Sequence, residues 1–230
     1  MRLGLRIWRG REDGGFVRYE VARRANQTVL DAVTEVQRTQ EPGLAYRFAC
    51  RVGMCGSCAM MVNGEPRWTC RTRVEALPRG EVSVAPLRHL PIVKDLVVDM
   101  APFFEKWDRA GGAFEAGAVP AAEFATVAPA SPERRAADAG IECIGCGVCY
   151  AACDVVGWDP EYLGPAALNR AWTLVNDVRD QAPARLAAVT GPGGCLSCHT
   201  HMSCTTYCPK QLAPTYAIAG LKRAAMRGGA

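Results

Sequence analysis

The sequence predicts an α+β protein, in which a small mixed sheet comes first and a helical domain follows. Alternation of apolar and polar residues, the pattern of half-buried strands, recurs through residues 3–87. Beyond residue 134 the apolar residues follow helical spacing, and strand patterns nearly vanish. We therefore predict a first domain at 1–105, a linker rich in Ala, Gly and Pro at 106–133, and an α-helical domain at 134–230.

Five strands build the predicted sheet. Residues 3–8 and 16–21 alternate on either side of two adjacent glycines, which is typical of a hairpin. Residues 58–70 contain two strand-like runs around Asn63-Gly64, a dipeptide that favours two-residue hairpin turns. Residues 81–87 supply the last strand.

Three helices are indicated by their apolar spacing. In residues 28–40 the valines and leucine fall on one helical face, and Thr28 with Asp31 resembles a capping box. Pro165 suits the first turn of a second helix, and residues 213–227 form a third. The expected apolar face of the second helix comprises Ala167, Leu168, Ala171, Trp172, Val175 and Val178.

Composition excludes some classes of function. The chain carries 27 Lys and Arg against 23 Asp and Glu, and its net charge of +4 forms no basic run, which argues against nucleic acid as a partner. No stretch approaches the ~20 apolar residues that span a bilayer. The first residues are rich in arginine and lack a continuous apolar run, so we expect no secretory signal and a cytosolic location.

The twelve cysteines carry the functional signal, because clustered cysteines in a cytosolic chain indicate metal or redox chemistry rather than disulfides. The first group has the spacing Cys-x4-Cys-x2-Cys-x11-Cys, whose x4-x2 loop is typical of plant-type 2Fe–2S ferredoxins. Gly53 and Gly56 would let backbone amides approach the sulfurs. A zinc site is the alternative, but zinc sites usually present two Cys-x2-Cys pairs and this segment has one. The predicted 2Fe–2S ligands are Cys50, Cys55, Cys58 and Cys70.

The second group, in residues 141–158, has the spacing Cys-x2-Cys-x2-Cys-x3-Cys of bacterial ferredoxins, in which the fourth cysteine binds the neighbouring cluster. That exchange requires a partner run, which residues 195–208 supply. The last cysteine of the partner run would return to complete the cluster of the first three. The predicted 4Fe–4S ligands are Cys143, Cys146, Cys149 and Cys208.

Three cysteines remain for a third centre, namely Cys153, Cys198 and Cys204. His201 occupies the position where a second ferredoxin run would have a cysteine, and three thiolates without a fourth predict a 3Fe–4S cluster. The alternative is that His201 binds a fourth iron, since imidazole binds iron in Rieske centres. Cys195 is the odd cysteine, and we expect it to be a small buried residue.

Three cluster motifs in this order, with shorter segments between them, carry a family resemblance. The segments, in chain order, are CRVGMCGSCAMMVNG, PLRHLPIVKDLVVD, CIGCGVCYAAC, YLGPAAL and CHTHMSCTTYCPK. With them the chain resembles, over essentially its whole length, the iron–sulfur subunits of succinate:quinone oxidoreductases, which are the succinate dehydrogenases and fumarate reductases.

The resemblance implies a β-grasp plant-type ferredoxin domain followed by an all-α bacterial-type ferredoxin domain. It also implies a flavoprotein partner with covalent FAD, a membrane anchor that can contain haem b, and a peripheral location at the cytoplasmic face of the inner membrane. Electrons would pass between FAD and a quinone at the anchor through 2Fe–2S, 4Fe–4S and 3Fe–4S clusters, in either direction. Dicarboxylate chemistry would take place on the flavoprotein, so this subunit would conduct electrons.

The family's quinone pocket uses a tryptophan and a histidine, which correspond to Trp158 and His199 in this sequence. Asp154 stands where members often have proline, and of two aromatic residues shortly beyond it only Trp158 is kept. His201 is a further candidate for the quinone or cluster environment. The alternatives are that His199 only hydrogen-bonds the cluster loop and that Trp158 is a core residue between helices.

Two other functions fit parts of the pattern. One is a subunit of a soluble thiol-driven fumarate reductase or of a heterodisulfide-reductase-like complex, which would add a further cysteine-rich domain. The chain ends at Ala230, soon after the last cluster motif, so we expect no such domain. The other is a zinc-stabilised binding module without redox function, which analysis for iron and acid-labile sulfide would distinguish.

Overall fold

The structure, a computed structural model, describes three stretches of the chain. They are residues 2–116, 127–181 and 184–228. Within the predicted linker at 106–133, residues 117–126 lie outside the described residues.

The chain divides into two compact units. The first consists of Met1–Met100 with Ile144–Ala152, and the second of Ala101–Cys143 with Cys153–Ala230. The short segment at 144–152 packs with the first unit, although it follows the predicted linker in sequence. The domain boundaries at residues 105/106 and 133/134 remain a prediction from the sequence.

The first unit is built on a five-stranded mixed sheet with one helix, α1, across it, which is the β-grasp arrangement expected from the sequence. The core between sheet and helix is formed by apolar side chains of both, together with Leu44 and Leu96. The elements of this unit are β1 (Arg2–Arg9), β2 (Gly15–Ala22), α1 (Val29–Thr39), β3 (Ala59–Val62), β4 (Glu65–Trp68), β5 (Val82–Ala85), β6 (Ile92–Lys94), β7 (Val97–Val98) and the short helix α4 (Val148–Ala151).

The sheet order is β2-β1-β5-β3-β4, with β1 and β5 parallel and the other pairs antiparallel. Both predicted hairpins are confirmed. In the second hairpin, Asn63 and Gly64 adopt φ of +50° and +84°, the left-handed values that a two-residue turn of this kind requires. The tight turn sets the register of β3 against β4, and the register in turn places the residues at the open end of the hairpin.

The predicted helix at 28–40 and its capping box are also confirmed. The backbone N–H of Asp31 donates to the Thr28 hydroxyl at 3.1 Å, and the backbone N–H of Thr28 donates to the Asp31 carboxylate at 3.0 Å. Two otherwise unpaired amides at the helix start are thereby satisfied. Val29, Val33 and Val36 are fully buried against the sheet, as the spacing predicts.

A two-stranded ribbon, β6 and β7, was not expected from the sequence. Its turn carries Asp95, which is 1% exposed and accepts hydrogen bonds from the amides of Gly10 and Ala45, each at 2.8 Å, and from Arg9 Nε at 3.0 Å. Burial by itself would raise the pKa of this carboxyl, but these donors hold the pKa below its ordinary value. Asp95 thus fastens the chain at Ala45, where it enters the first cysteine loop.

The second unit is helical, as predicted, with an isolated bridge between Ala116 and Asp180 as its β contact among the described residues. Its helices are α2 (Ala101–Arg109), α3 (Pro132–Ile141), α5 (Asp154–Trp158), α6 (Pro165–Val175), α7 (Ala184–Thr190), α8 (Ser203–Thr206) and α9 (Pro214–Gly228). Within the described stretches, none of the helices combines the length and apolar character needed to cross a bilayer.

Helix α6 is central to this unit and packs against α2, α3, α7 and α9. Pro165 starts it, as predicted, and Ala167, Leu168 and Ala171 are buried. The predicted apolar face is wrong beyond that point, because Val175 is 37% exposed and Val178 is 60% exposed. The helix ends at Val175, so the helical spacing no longer determines which side chains face the core.

Candidate iron–sulfur centres

The hairpin of β3 and β4 brings Cys58 and Cys70 together at its open end. Cys58 precedes β3 and Cys70 lies just beyond β4, while the register pairs Ala59 with Trp68. Thr69 secures this end, because its backbone N–H and its hydroxyl both donate to the Cys58 carbonyl, at 3.1 and 2.8 Å. Both cysteines are buried, so the hairpin supplies the inner pair of thiols.

The loop before this hairpin supplies the outer pair, Cys50 and Cys55, of which Cys55 is exposed. Cys50 Sγ accepts hydrogen bonds from the backbone amides of Val52, Met54 and Cys55 at 3.4, 3.2 and 3.3 Å. Gly53 adopts a φ of +76° in this loop, a backbone conformation that glycine takes without strain. Amides aimed at a sulfur stabilise negative charge on it, as a cluster thiolate requires.

Two thiols of this first centre, Cys55 and Cys70, differ in their readiness to ionise. The pKa of Cys55 is lowered to about 6, chiefly by the backbone amide of Cys50 and the hydroxyl of Ser57. The pKa of Cys70 is raised to about 12, because the thiol is buried and lies beside Cys58. Cys55 therefore loses its proton readily, while Cys70 would lose its proton on binding a metal.

These four residues fit a 2Fe–2S cluster. Within the described part of the chain, no three His, Cys, Asp or Glu side chains are grouped so as to hold a single metal ion. A cluster needs no such group, because four cysteines hold two irons in a 2Fe–2S cluster and four irons in a cubane. The amides around Cys50 are the observation that favours a cluster here.

The residues predicted for the second centre fall in both compact units. In the first unit, α4 begins after Gly147, whose φ is +77°, and Cys149 is buried within this helix. Gly56 of the first cysteine loop lies against this segment, since a Cβ added at Gly56 would come within 2.5 Å of the Cβ of Cys146. The loop of the first centre and the ferredoxin run are thus in direct contact inside one unit.

Cys143 and Cys208 belong to the second unit. The amide of Cys143 donates to the carbonyl of Gly140 at 3.2 Å, just beyond the end of α3. Next to these cysteines, Glu142 and Lys210 form an ion pair at 2.8 Å. The pair brings the start of the first ferredoxin run close to the end of the partner run, which is what the predicted exchange of cysteines needs.

The third predicted set, Cys153, Cys198 and Cys204, lines one small cavity of the second unit. Burial raises the pKa of Cys153 and of Cys204, and the neighbouring thiols raise both further. The amide of Thr200 donates to Cys198 Sγ at 3.4 Å, and Thr215 Oγ1 lies 3.3 Å from Cys204 Sγ. Three converging sulfurs with hydrogen-bond donors beside them fit a three-cysteine cluster.

Three aromatic rings form a group at the mouth of this cavity. The ring centres of Trp158, His199 and His201 are 5.7 to 6.2 Å apart, and both histidines also line the cavity. Trp158 is 65% exposed, so the alternative that it is a core residue between helices is wrong. The structure thus brings together the three residues predicted for the quinone or cluster environment, and their role remains a prediction.

Cys195 is fully buried, and burial raises the pKa of its thiol. The expectation of a small buried residue is therefore confirmed.

Two residues at the cavity of the third centre were not predicted from the sequence. Tyr162 and Thr215 line its cavity, although neither belongs to a cysteine motif. Tyr162 lies in the YLGPAAL segment, and a hydroxyl in an otherwise apolar run was the available signal. Thr215 is the second residue of α9, where a lone threonine gives no sign of a nearby cluster.

Comparison with known families agrees with this division of centres. Residues 4–105 match the family described as a 2Fe-2S iron-sulfur cluster binding domain, and residues 142–213 match the 4Fe-4S dicluster domain. Among curated proteins, the succinate dehydrogenase iron-sulfur subunit of Paracoccus denitrificans is 37% identical over 202 residues, which cover 84% of this chain and 74% of that protein. The fumarate reductase iron-sulfur subunit of Haemophilus influenzae is 37% identical over 205 residues, which cover 84% and 80%.

A solved structure is similar over the whole chain. It is described as the Mycobacterium smegmatis Sdh1 complex in the apo form, and it matches with a TM-score of 0.89 and 30% sequence identity over 100% of this chain and 98% of the other. These relatives favour the predicted family over a thiol-driven reductase. The chain belongs to the family of iron–sulfur subunits of succinate dehydrogenases and fumarate reductases, and it is an electron-transfer subunit of that kind.

Proposed function

We propose that this subunit passes single electrons between the FAD of a flavoprotein subunit and a quinone at a membrane anchor. The thiols grouped at the first and third centres carry the proposal, since each of these two sets has the number of thiols that its cluster requires. The clusters accept and release one electron at a time, and the dicarboxylate reaction belongs to the flavoprotein. The protein's own contribution is to hold the thiols, aim hydrogen-bond donors at them and exclude water.

The proposed ligand sets are those derived from the sequence. Cys50, Cys55, Cys58 and Cys70 would hold the 2Fe–2S cluster, Cys143, Cys146, Cys149 and Cys208 the 4Fe–4S cluster, and Cys153, Cys198 and Cys204 the 3Fe–4S cluster. In the first set the buried pair on the hairpin faces the core, while the outer pair on the loop is accessible to a partner. That asymmetry suits electron exchange at a protein surface.

The flavoprotein would dock over the loop of the first centre. Val52 and Met54 lie in the loop between Cys50 and Cys55 and are 61% and 65% exposed, so this loop presents large apolar side chains to solvent. The guanidinium of Arg51 is held by Asp31 at 2.7 Å and lies over the ring of Phe48. An apolar surface with a fixed charge at its edge is typical of the centre and rim of a protein interface.

The quinone and the membrane anchor would meet the subunit at the third centre. Trp158, His199 and His201 present one apolar ring and two imidazoles at the cavity mouth, and Met202 is 44% exposed beside them. A quinone needs an aromatic surface for its ring and hydrogen-bond donors for its carbonyl oxygens, and these side chains offer both. The subunit itself would be peripheral, at the cytoplasmic face of the inner membrane, and it would have no nucleic-acid partner.

The test uses the complex purified with its own flavoprotein and anchor subunits. Iron and acid-labile sulfide are measured, and electron paramagnetic resonance (EPR) spectra are recorded in the oxidised and reduced states. We expect a 2Fe–2S signal on reduction and a 3Fe–4S signal in the oxidised protein that disappears on mild reduction. Zinc without sulfide would refute the proposal. Succinate-driven and quinol-driven turnover of the same sample would then give the working direction.

A further inference from the structure

The cavity of the third centre contains a buried hydroxyl that its protein surroundings leave unpaired. Tyr162, in the loop between α5 and α6, is 0% exposed and is one of the largest fully buried side chains. Among the residues that the structure describes, no atom forms a hydrogen bond of acceptable geometry with its Oη. A hydroxyl removed from water without a partner is costly, and such groups call for an explanation.

The sulfurs of the third centre share a cavity with this hydroxyl. Tyr162 lines the same cavity as Cys153, Cys198 and Cys204. A phenol has an ordinary pKa of about 10, so at neutral pH it carries the proton that a hydrogen-bond donor needs.

The other walls of the cavity do not pair with the phenol. Val155, Pro165 and Ile218 present apolar side chains, and the polar residues His199, Thr200, His201 and Ser203 line the cavity without hydrogen-bonding Tyr162 Oη. The hydroxyl of Thr215 accepts from Thr205 Oγ1 at 2.9 Å and lies 3.3 Å from Cys204 Sγ. A cluster held by the three thiols would add inorganic sulfides to this cavity, so sulfur is the acceptor that loading would supply.

We propose that Tyr162 Oη donates a hydrogen bond to a sulfur of the third centre, at Cys198 Sγ or an inorganic sulfide beside it, and thereby raises the reduction potential of that centre. This inference rests on the proposed cluster at Cys153, Cys198 and Cys204. A donor stabilises the more negative, reduced cluster more than the oxidised one, so the bond favours acceptance of an electron. Tyr162 acts through the cluster, as a residue that tunes it, and it needs no contact with the quinone.

The test is Tyr162→Phe in the intact complex, which removes one oxygen atom and keeps the buried ring. The matched control is Tyr216→Phe, because Tyr216 belongs to the same unit and is 70% exposed on α9. The potential of the oxidised 3Fe–4S signal is titrated by EPR, and couplings to exchangeable protons are compared in H2O and D2O. Loss of one hydrogen bond should make the equilibrium for reduction of the cluster about tenfold less favourable. For a one-electron couple this lowers the reduction potential by ~59 mV. The control should leave the potential unchanged.

Two measurements decide the inference. A lower potential in Tyr162→Phe, with loss of one exchangeable-proton coupling, supports it. An unchanged potential overturns it, and so does a lower potential with every proton coupling retained, because the effect would then come from packing. Absence of any three-cysteine cluster in the wild-type complex is a separate result, which refutes the proposed function itself.

Discussion

The first and third centres hold their sulfurs by different means. At the first centre, Cys50 accepts three backbone amides from an exposed loop whose shape depends on left-handed residues. At the third, the backbone amide of Thr200 also donates to a thiol, but side-chain hydroxyls and a buried ring surround the cavity as well. A backbone amide is present whatever the side chain is, whereas a side-chain donor is lost when its residue is substituted. The first centre should therefore depend more on loop conformation, and the third more on individual side chains.

The largest expected effect is the loss of the first centre while the other two centres are retained. Cys70→Ser should abolish the 2Fe–2S signal on reduction and leave the 4Fe–4S and 3Fe–4S centres assembled, because the ligands of the first centre come from one loop and one hairpin. EPR spectra and iron content of the purified complex measure this. Cys195→Ala is the matched control, since Cys195 is buried and is no predicted ligand. Loss of all three centres in a folded Cys70→Ser protein would contradict the separation.

The next change tests the side chains of the third centre. His201→Cys should supply a fourth thiolate, convert the 3Fe–4S centre to 4Fe–4S, lower its potential and slow quinone reduction. The oxidised 3Fe–4S signal should disappear in EPR spectra, whereas His199→Cys, with the thiol at a neighbouring position, should keep it. If the wild type already contains four irons there, and His201→Ala reduces them to three, then His201 is a ligand and the three-iron assignment is wrong.

A smaller effect tests the backbone of the first centre. Gly56→Ala would place a Cβ at a φ of +71° and 2.5 Å from the Cβ of Cys146. Left-handed strain and overpacking together should destabilise the fold by about 2–5 kcal/mol. Gly64→Ala is the control, because its φ is +84° but no atom lies within 4 Å of the added Cβ, so only about 1–2 kcal/mol is expected.

Urea unfolding of the two glycine variants, followed by the visible absorbance of the clusters, measures the difference. Equal unfolding midpoints would mean that the contact with Cys146 contributes nothing, and that only the left-handed conformation matters.

The smallest effect concerns the entry to the first cysteine loop. Asp95→Asn removes the charge that accepts the amides of Gly10 and Ala45, and it should cost about 1.5–3 kcal/mol of stability at neutral pH. Asp13→Asn, at an exposed position in the first hairpin turn, is the control and should change stability by less than about 0.5 kcal/mol.

The pH dependence of the Asp95 contribution has a defined sign. The pKa of Asp95 in the folded protein lies below its ordinary value, so the contribution is complete above an unfolded-state pKa of about 3.9 and is lost as the pH falls through the folded-state pKa. The wild type and Asp95→Asn should therefore converge in stability at strongly acidic pH. A difference that is independent of pH down to that range would show that the carboxylate charge is not responsible.

Local signals in the sequence predicted the elements that local interactions stabilise. The capping box of Thr28 and Asp31, the Asn63-Gly64 turn and Pro165 at the start of α6 each act within a few residues, and each element was found. The cysteine spacings predict three sets of ligands, and those sets stay a prediction.

The rest depended on contacts between distant residues. The ribbon of β6 and β7 is short, and Asp95 in its turn hydrogen-bonds the distant residues Gly10 and Ala45. Its few residues show no alternation of apolar and polar side chains from which the strands could be predicted. Tyr162 becomes part of the third centre only when its loop meets the segment around Cys198. The exposure of Trp158 likewise follows from how α5 packs, which a single aromatic residue does not predict.

The burial of Cys195 has a consequence for the fidelity of cofactor loading. Residues 195–208 contain four cysteines, which is enough thiol to complete a cubane. Cys195 is 0% exposed, and it is not among the described residues that line the cavity. Under the proposed ligand sets, iron and sulfide that enter the third cavity meet three thiols rather than four. Packing, rather than the count of cysteines, would then select which cluster is bound.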